Sequence, residues 1–554
     1  MSERIKLTVI EGNGGKKTEL FHDKKRTLLH TLREGGVNLP SLCSGIGKCG
    51  RCQVRFCGYA PLPTQTDRAV IAPDNLRAGY RLSCMARPEK DCMVETAFEK
   101  EQKIDVVVYH KNETMFIQGD TSKKEEEESA DTDADIDIDT DIDIDADIDI
   151  DTVIDTDTDI DINTDWKNRE KQSGRMWENA AVIAVAVDIG TTTIAMQMIE
   201  AKTGRILDTY TCLNPQRSYG TDVISRIQAG TAGDEEILQQ LVREALLSGI
   251  GKMADRIGNG SRQILKYIMI SANTTMGHLL MGYPVETLGK SPFMPIEIKT
   301  VKTGCLGPLA ILLPGISAFV GGDIVSGLYA CGLLQQEGSG IWLFLDLGTN
   351  AEMVMGNGNR LVCTAAAAGS AFEGRGGCGA TGAERIAAIA RLLEKGIVDG
   401  TGLLQEPYFE TGIEVETGRG GKIRILKEDV RDIQMAKAAV RAGIYFLLEH
   451  LEVEGYEEIE KVYIAGGFGF YLDKMAAAKI GLIPFELTDK IEMVGNTSLA
   501  GARLAARELL KEDTGADAGL MSWLENAAGK AEVFQLAEES SFERVYVDYM
   551  GFEV

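Results

Sequence analysis

An acidic repeat divides this chain more strongly than any other feature of its sequence. Residues 131–165 contain 16 Asp and no Lys, Arg or Glu, so they hold 16 of the 26 net negative charges. In an extended strand every Asp would lie on one face, where like charges repel at cross-strand distances. The other face would carry mainly Ile, Thr and Ala, without aromatic residues. We therefore expect a disordered acidic linker over residues 101–178, between a domain at 1–100 and a larger one at 179–554.

Calcium binding is the alternative interpretation of the repeat, because D-x-D-x-D begins an EF-hand type of loop. The run lacks both the Gly at loop position 6 and the closing Glu, which makes specific calcium sites a weak hypothesis. A flexible tether of about 78 residues would instead span roughly 50 Å and let the two domains separate.

Charge and hydropathy exclude several classes of protein. Outside the repeat the chain is only mildly acidic, which argues against a nucleic acid partner, since binding phosphates needs clustered Lys and Arg. No segment approaches the roughly 18 apolar residues of a membrane helix, and the N-terminal MSERIKLTVI has no secretory pattern. We expect a cytoplasmic protein without membrane contact, in which clustered cysteines bind metal or carry redox chemistry.

The N-terminal domain carries such a cysteine cluster. A strand at 5–10 and a helix at 27–37, which ends in a glycine pair, precede the string SLCSGIGKCGRC, and further strands are expected at 53–56 and 93–98. Four thiolates with one distant member are the ligand set of a plant-type [2Fe-2S] cluster, with the first gap widened by one residue. The predicted metal ligands are Cys43, Cys49, Cys52 and Cys84.

A structural zinc site is the alternative, although zinc ribbons usually present two C-x2-C pairs and this sequence has one. Cys57 and Cys92 are expected to be small buried residues of the same domain. The loop SLCSGIGKCGRCQV together with RLSC resembles the adrenodoxin-type ferredoxins. The resemblance implies an α+β, β-grasp fold for this domain.

The C-terminal domain contains a duplicated pattern. A strand running into an Asp and a Gly-Thr turn occurs as AVIAVAVDIGTTTIA around Asp188 and again as IWLFLDLGTNAEMV around Asp346. Each copy is followed by a second glycine turn, FVGGD at 319–323 and IAGGFG at 464–469. We infer an α/β domain with two similar halves, at about 181–335 and 340–510, and a C-terminal extension over 511–554.

A Gly-Thr turn presents backbone amides and hydroxyls to phosphate, and its Asp can hold a hydrated divalent cation. The alternative is that these turns are only tight connections in a sheet. The strings resemble the acetate and sugar kinase/Hsc70/actin superfamily, with two phosphate motifs and an adenosine motif. This resemblance implies an ATP site with Mg2+, whose expected nucleotide-binding residues are Gly190, Thr191, Thr192, Thr193, Gly348, Thr349, Asn350, Gly466, Gly467, Phe468 and Gly469.

The order of the domains resembles a narrower group, the reductive activators of corrinoid enzymes. The strings that carry this resemblance are NPQRSYGTDVISRI at 214–227, SANTTMGHLL at 271–280, AAAAGSAFEG at 365–374 and GNTSLAGA at 495–502. It covers residues 1–100 and 181–554. The family commonly has a folded segment where this chain has the acidic run, which leaves a homodimer contact through that segment open.

The resemblance implies ATP-dependent transfer of one electron from the [2Fe-2S] cluster to cob(II)alamin, which regenerates cob(I)alamin on the corrinoid protein of a methyltransferase or O-demethylase system. A low-potential electron donor and an anaerobic metabolism are expected with it. We assign metal holding to Asp188 and orientation of the attacking water to Asp346, with Glu352 as the next candidate; the first two roles could be exchanged.

Three alternatives remain open. The chain could be an electron-transfer ATPase for another low-potential acceptor, such as a 2-hydroxyacyl-CoA dehydratase. It could be a sugar-kinase-like phosphotransferase, in which the iron-sulfur domain would be idle. A non-enzymatic ferredoxin fused to an actin-like scaffold would bind nucleotide without turnover linked to a partner.

Overall fold

The computed structural model describes residues 4–11, 17–35, 37, 39, 47, 50, 52–96, 181–257, 263–372, 381–418, 420–511 and 517–552. The predicted linker at 101–178 lies outside the described residues, as does the acidic repeat within it.

The N-terminal domain is a five-stranded sheet with three short helices. Its strands are β1 (Arg4–Glu11), β2 (Lys17–Asp23), β3 (Gln53–Phe56), β4 (Tyr80–Leu82) and β5 (Cys92–Thr96). Its helices are α1 (Leu28–Glu34), α2 (Gln65–Val70) and α3 (Pro73–Arg77). The strand order is β2-β1-β5-β3-β4, with β1 antiparallel to β2 and parallel to β5. This is the predicted β-grasp arrangement.

Helix α1 forms because its apolar residues recur at helical spacing. Leu28, Leu29 and Leu32 are buried against the sheet, while Arg33 and Glu34 are left toward the outside of the domain. The helix ends at Glu34, a little earlier than the predicted 27–37, and Gly35 follows as its cap. A side chain at Gly35 would collide with Leu20 of β2, so the glycine permits this close packing.

The C-terminal domain contains two six-stranded sheets. The first is formed by β6 (Ala181–Ile189), β7 (Thr193–Glu200), β8 (Ile206–Leu213), β9 (Gln263–Ala272), β10 (Val301–Thr303) and β11 (Leu309–Leu312). The second contains β12 (Ile341–Leu347), β13 (Ala351–Gly356), β14 (Leu361–Ala366), β17 (Ile459–Ala465), β18 (Ile491–Gly495) and β19 (Ala531–Val533). A separate hairpin pairs β15 (Ile413–Glu416) with β16 (Lys422–Ile425).

Five strands of each sheet repeat one topology, and the sixth strands, β10 and β19, lie at opposite edges. The first sheet has the order β10-β11-β9-β6-β7-β8 and the second β18-β17-β12-β13-β14-β19. In each, a central strand is antiparallel to the next strand in sequence and parallel to a later one, as β6 is to β7 and β9, and β12 to β13 and β17. The predicted duplication is therefore present in the strand pairing itself.

The helices of this domain cover both sheets. They are α4 (Val223–Ala229), α5 (Glu235–Ile257), α6 (Thr274–Met281), α7 (Gly322–Ala330), α8 (Gly382–Glu394), α9 (Lys427–Leu451), α10 (Gly466–Phe470), α11 (Lys474–Lys479), α12 (Thr497–Lys511), α13 (Asp517–Ala528) and α14 (Phe542–Asp548).

Two of these helices connect the halves. Helix α12 follows the second sheet in sequence but buries Leu499, Ala502 and Ala506 against β6 of the first. Helix α7 follows the first sheet and packs partly on the second, beside Phe344. The two helices touch where a side chain at Gly501 would collide with the carbonyl of Ser326. This close crossing places the start of α12 at the site between the sheets.

The C-terminal extension completes both halves. Helix α13 buries Met521 and Leu524 in the core that α12 shares with the first sheet. Strand β19 then pairs in parallel with β14 at the edge of the second sheet. Further on, Val545 and Phe552 enter the core of the second half.

Candidate functional site

The first turn predicted to bind phosphate, residues 190–193, lies between β6 and β7, and two side chains hold its backbone. Gly190 N donates to the carbonyl of Thr193 at 2.9 Å, which closes the turn. Asn214 Nδ2 donates to the carbonyl of Gly190 at 2.9 Å, and the guanidinium of Arg226 donates to the carbonyl of Thr191. Because these carbonyls are occupied on the rear of the turn, its shape depends on the buried Asn214 and Arg226.

The carboxylate of Asp188 at the end of β6 has two donors from the far end of the chain. Asn496 Nδ2 donates to Asp188 Oδ2 at 2.8 Å, and Ser498 Oγ donates to Oδ1 at 2.7 Å. Ser498 Oγ also lies 2.8 Å from Ser271 Oγ on the neighbouring strand β9. Burial raises the pKa of Asp188, while these two hydrogen bonds lower it. The donors therefore favour the charged carboxylate that cation binding requires.

The second turn repeats this placement. Asp346 pairs across β12 and β17 with Ala465, just as Asp188 pairs across β6 and β9 with Ser271. Gly466 follows with φ +88°, and a Cβ there would lie 2.8 Å from Asp346 Oδ1. The structure thus brings the predicted second phosphate motif and the start of the predicted adenosine motif together.

Asp323, at the start of α7, joins the two predicted aspartates. Burial raises the pKa of Asp323 to about 8, and the charges of Asp346 and Asp188 act in the same direction. Burial also raises the pKa of Asp346 to about 7, again with a contribution from Asp188. Because the charges of Asp188 and Asp346 both act on Asp323, the three carboxylates lie near one another between the sheets. The FVGGD turn was recognisable in the sequence, but Asp323 was not predicted to belong to the site.

Glu352 is the most buried carboxylate here, with 8% of its surface exposed. It lies directly opposite Asp346 in the β12/β13 ladder, so both side chains point to the same face. Burial raises its pKa well above the usual range, and the charges of Asp323 and Asp346 add to this, whereas a hydrogen bond with Asn350 opposes it. A protonated carboxyl beside two aspartates can donate a hydrogen bond or a proton.

These residues fit a magnesium nucleotide. Mg2+ is usually bound by one or two carboxylates together with substrate phosphates and water, and the aspartates beside the two Gly-Thr turns could supply that contribution. Within the described ranges, no three His, Cys, Asp or Glu side chains are grouped so as to hold a metal ion by themselves.

The adenosine motif forms the short helix α10. Its Phe468 stacks on Phe372, with ring centroids 4.6 Å apart. Beyond α10, a cavity of about 670 Å³ opens between α8 and α11, and its lining includes Glu384, Arg391 and Lys479. This volume is within the range of small-molecule sites.

The cysteine site is described in part. Cys52 and Cys84 are buried and their sulfur atoms lie 3.2 Å apart, although 32 positions separate them. The hydrogen bond with Cys84 lowers the pKa of Cys52 to about 6, which favours the thiolate that binds iron. Gly47 and Gly50 have φ of +85° and +71°, the tight-loop conformation that glycine allows. These features fit a thiolate-bound cluster, whereas Cys43 and Cys49 lie outside the described residues.

The other two cysteines of this domain differ from each other. Cys92 is buried as predicted, and burial raises its pKa to about 11. Cys57 is half-buried, so the prediction of a buried residue is wrong for it. It follows β3, in which Val54 and Phe56 face the core and Arg55 faces solvent, so alternation turns Cys57 outward.

Four residues of the site were not predicted from the sequence. Asn214, Arg226, Asn496 and Ser498 all lie in strings that were noticed only for their family resemblance. The polar side chains of these residues, close to glycine turns in the sequence, were a signal that they belong to the site. Their partners could not be named, because each contact joins residues that are distant in sequence.

Three protein-family matches identify the family of this chain. Residues 10–89 match the 2Fe-2S iron-sulfur cluster binding domain, and residues 183–336 match the RACo middle region. Residues 340–379 and 376–553 match the C-terminal domain of RACo, the ASKHA domain. The chain belongs to the RACo family.

Individual RACo relatives agree with this. The chain is 29% identical over 399 residues to the corrinoid activation enzyme RamQ of Eubacterium limosum, covering 60% of this chain and 65% of that relative. It is 30% identical over 253 residues to the [Co(II) methylated amine-specific corrinoid protein] reductase of Methanosarcina barkeri, covering 37% and 45% of the two chains. The chain thus spans less than two thirds of either curated relative.

A solved structure, titled reductive activator for corrinoid, iron-sulfur protein, has the same fold. It is 24% identical and superimposes with a TM-score of 0.57, covering 99% of this chain and 98% of that one. The predicted fold class is therefore confirmed, and the family matches confirm the [2Fe-2S] cluster and ATP as cofactors. Among the helices in the described ranges, none has the length and apolar character needed to cross a membrane.

Proposed function

We propose that this protein uses ATP to reactivate a corrinoid protein by transferring one electron from its [2Fe-2S] cluster to cob(II)alamin, which yields cob(I)alamin. The main support for this function is that a single chain of the RACo family joins a 2Fe-2S domain to an ASKHA domain. The names of RamQ and of the methylamine corrinoid protein reductase support the corrinoid partner. A low-potential donor then returns one electron to the protein after each turnover.

On the ATPase side, the proposal assigns roles to the carboxylates. Asp188, whose carboxylate accepts hydrogen bonds from Ser498 and Asn496, would hold the cation that accompanies the nucleotide phosphates. Asp346 orients the attacking water, and its raised pKa near 7 suits a group that accepts a proton. Glu352 lies opposite and, in its protonated form, can donate a hydrogen bond to the group that Asp346 orients. The backbone amides of the two Gly-Thr turns bind phosphate oxygens.

We place the adenosine end of ATP beside α10. The cavity between α8 and α11 begins where the GGFG turn ends, and its lining offers both charged and apolar groups, among them Glu384, Lys479 and Phe485. Ligand sites of this size commonly combine an apolar wall with a few polar groups.

On the electron side, the [2Fe-2S] cluster supplies the one-electron carrier when it is bound. Cys52 and Cys84 would hold it with their adjacent sulfur atoms, and Cys43 and Cys49 are proposed as the remaining ligands. Plant-type clusters have potentials near −400 mV and cob(II)alamin is harder to reduce, while each ~59 mV of adverse difference costs about tenfold in equilibrium. Coupling to ATP hydrolysis provides the free energy that this transfer lacks.

The test uses purified holoenzyme, a cob(II)alamin-loaded corrinoid protein from a methyltransferase system, and a chemical reductant under anaerobic conditions. We expect the corrinoid protein to raise the rate of phosphate release from ATP, and a [2Fe-2S] spectrum with two iron atoms per chain. Stimulation by a 2-hydroxyacyl-CoA dehydratase instead would support the other electron-transfer ATPase. Phosphate transfer to a sugar without any effect of the corrinoid protein would contradict the proposal.

A further inference from the structure

The ferredoxin domain reaches the ATPase domain through one arginine of α1. The guanidinium of Arg33 donates to the backbone carbonyl of Ser218. Its central carbon lies 4.3 Å from the centroid of the Tyr219 ring, which is the geometry of a cation–π contact. An arginine that stacks and donates at the same time is an anchor with defined geometry.

The charges around this contact are complementary. Burial lowers the pKa of Arg33, while Tyr219 and the carboxylate of Asp234 raise it. Burial raises the pKa of Asp234, and the charges of Arg33 and His30 lower it. Two basic side chains of α1 therefore face an acidic one on the ATPase domain. Such a desolvated contact contributes more than an exposed ion pair.

The contact lies on the cluster side of the ferredoxin domain. Cys52 and Cys84 are close enough to Arg33 to influence its pKa. While Arg33 is docked, this side of the domain faces the ATPase domain, so another protein would have to compete for it.

Residues 214–220, the segment that Arg33 contacts, also contact the first phosphate turn. At its start, Asn214 Nδ2 donates to Gly190 O, and Asn214 N donates to the carbonyl of Thr192, both at 2.9 Å. At its end, Arg226 Nε donates to the carbonyl of Gly220 at 2.9 Å, while the same guanidinium contacts the carbonyl of Thr191. Residues 214–220 thus contact the turn on one side and Arg33 on the other.

We propose that residues 214–220 form a nucleotide-coupled docking site for the ferredoxin domain of the same chain, anchored by Arg33. The coupling rests on the proposed nucleotide at the Gly190–Thr193 turn, because any change in that turn moves the carbonyls that Asn214 and Arg226 hold. A nucleotide that binds docked and undocked states differently must shift their ratio. By reciprocity, loss of docking must change nucleotide affinity by the same factor.

The first experiment measures docking in the full-length holoenzyme by small-angle X-ray scattering without nucleotide. We expect Arg33→Glu to increase the maximum dimension by on the order of 10–30 Å, because the predicted tether then lets the domain leave. Arg77→Glu is the matched control, since Arg77 is exposed and pairs only locally with Asp74 among the described residues. Equal dimensions for wild type and Arg33→Glu would overturn the docking site.

The double variant Arg33→Glu, Asp234→Lys separates docking from misfolding. It restores the opposite charges, so we expect it to recover the compact dimension that each single variant loses. Iron content and visible spectrum equal to wild type show that the ferredoxin domain is folded. A wild-type scattering mass of two chains that falls to one in Arg33→Glu would contradict docking within the same chain.

The second experiment measures the coupling with a fluorescent ADP analogue. We expect Arg33→Glu to change its dissociation constant about fivefold, in either direction, and Arg77→Glu to leave it unchanged. An expanded Arg33→Glu variant with wild-type affinity would overturn the coupling. Neither readout uses a corrinoid protein, so failure of the proposed function in the activity test leaves both results interpretable.

Discussion

Ser498 Oγ donates a 2.7 Å hydrogen bond to Oδ1 of Asp188, although 310 positions separate the two residues. Ser498 belongs to helix α12, which follows the second sheet, whereas Asp188 is the penultimate residue of β6, a central strand of the first. The contact therefore ties the carboxylate that we propose to hold the cation, in one half, to a helix that comes after the other half. A change in the angle between the halves would therefore alter the hydrogen bond to Asp188 directly.

The first prediction concerns Ser498→Ala. Loss of one donor raises the pKa of Asp188, because that hydrogen bond lowers it in the wild type. We expect kcat/KM for ATP to fall about tenfold at pH 7, equivalent to about 1.4 kcal/mol, and to recover partly as the pH rises and the carboxyl ionises. The pH profile of phosphate release measures this. Ser541→Ala is the control, since the Ser541 side chain makes no capping hydrogen bond; an unshifted acid limb for Ser498→Ala would contradict the assigned role.

The second prediction follows from Asp323, whose pKa is raised to about 8. Between its ordinary pKa near 4 and this value the folded state binds more protons than the unfolded state, so the free energy of unfolding falls as the pH rises. Asp323→Asn cannot ionise. Its stability relative to wild type should therefore increase by about 1–3 kcal/mol between pH 5 and pH 8.

Chemical unfolding with EDTA and without nucleotide measures this difference, with Trp342 and Trp523 of the C-terminal domain as fluorescent reporters. Asp489→Asn is the control, because Asp489 is exposed on the same domain. A pH-independent difference between Asp323→Asn and wild type would mean that the carboxyl ionises normally.

The third prediction compares neighbouring glycines of the adenosine motif. Gly466 has φ +88° and no room for a Cβ beside Asp346, whereas nothing lies within 4 Å of a Cβ at Gly467. Gly466→Ala should lower the free energy of unfolding by about 1–3 kcal/mol, and Gly467→Ala should change it by less than about 1 kcal/mol. Thermal unfolding of the two variants side by side gives the answer; equal losses would exclude strain at Gly466 as the cause.

The fourth prediction tests the cluster ligands. Cys84→Ala removes a buried thiol next to Cys52 and should abolish the [2Fe-2S] electron paramagnetic resonance signal after reduction, while nucleotide binding persists. Cys57→Ala should keep the signal, because Cys57 is half-buried and was not assigned as a ligand. Bound zinc instead of iron in the wild type, purified anaerobically, would support the alternative four-cysteine zinc site.

Much of the fold could be predicted from local patterns. The strands that run into Asp188 and Asp346 were recognisable because each is a continuous apolar run that ends in Asp and a Gly-Thr turn. The strand at 5–10 was recognisable from its alternating residues, and the loop that contains Cys52 from its cysteine spacing. These signals lie within about 15 residues of sequence, so no tertiary information was needed.

The remaining part of the site depends on contacts between distant segments. Asn496 and Ser498 reach Asp188 only because α12 crosses back onto the first sheet. Asp323 joins the site only because α7 lies between the two sheets. Helix propensity and apolar periodicity do not encode which sheet a helix covers, and for this reason neither contribution was predicted.

The most direct test of the central claim is the formation of cob(I)alamin with and without ATP. A cob(II)alamin-loaded corrinoid protein is mixed anaerobically with reductant and the holoenzyme, and the visible spectrum is followed for wild type and Asp188→Asn. We predict rapid formation of cob(I)alamin by the wild type only when ATP is present, and loss of that dependence together with most of the rate in Asp188→Asn, whose cluster spectrum stays intact. Equal formation of cob(I)alamin by the wild type without ATP would contradict the account.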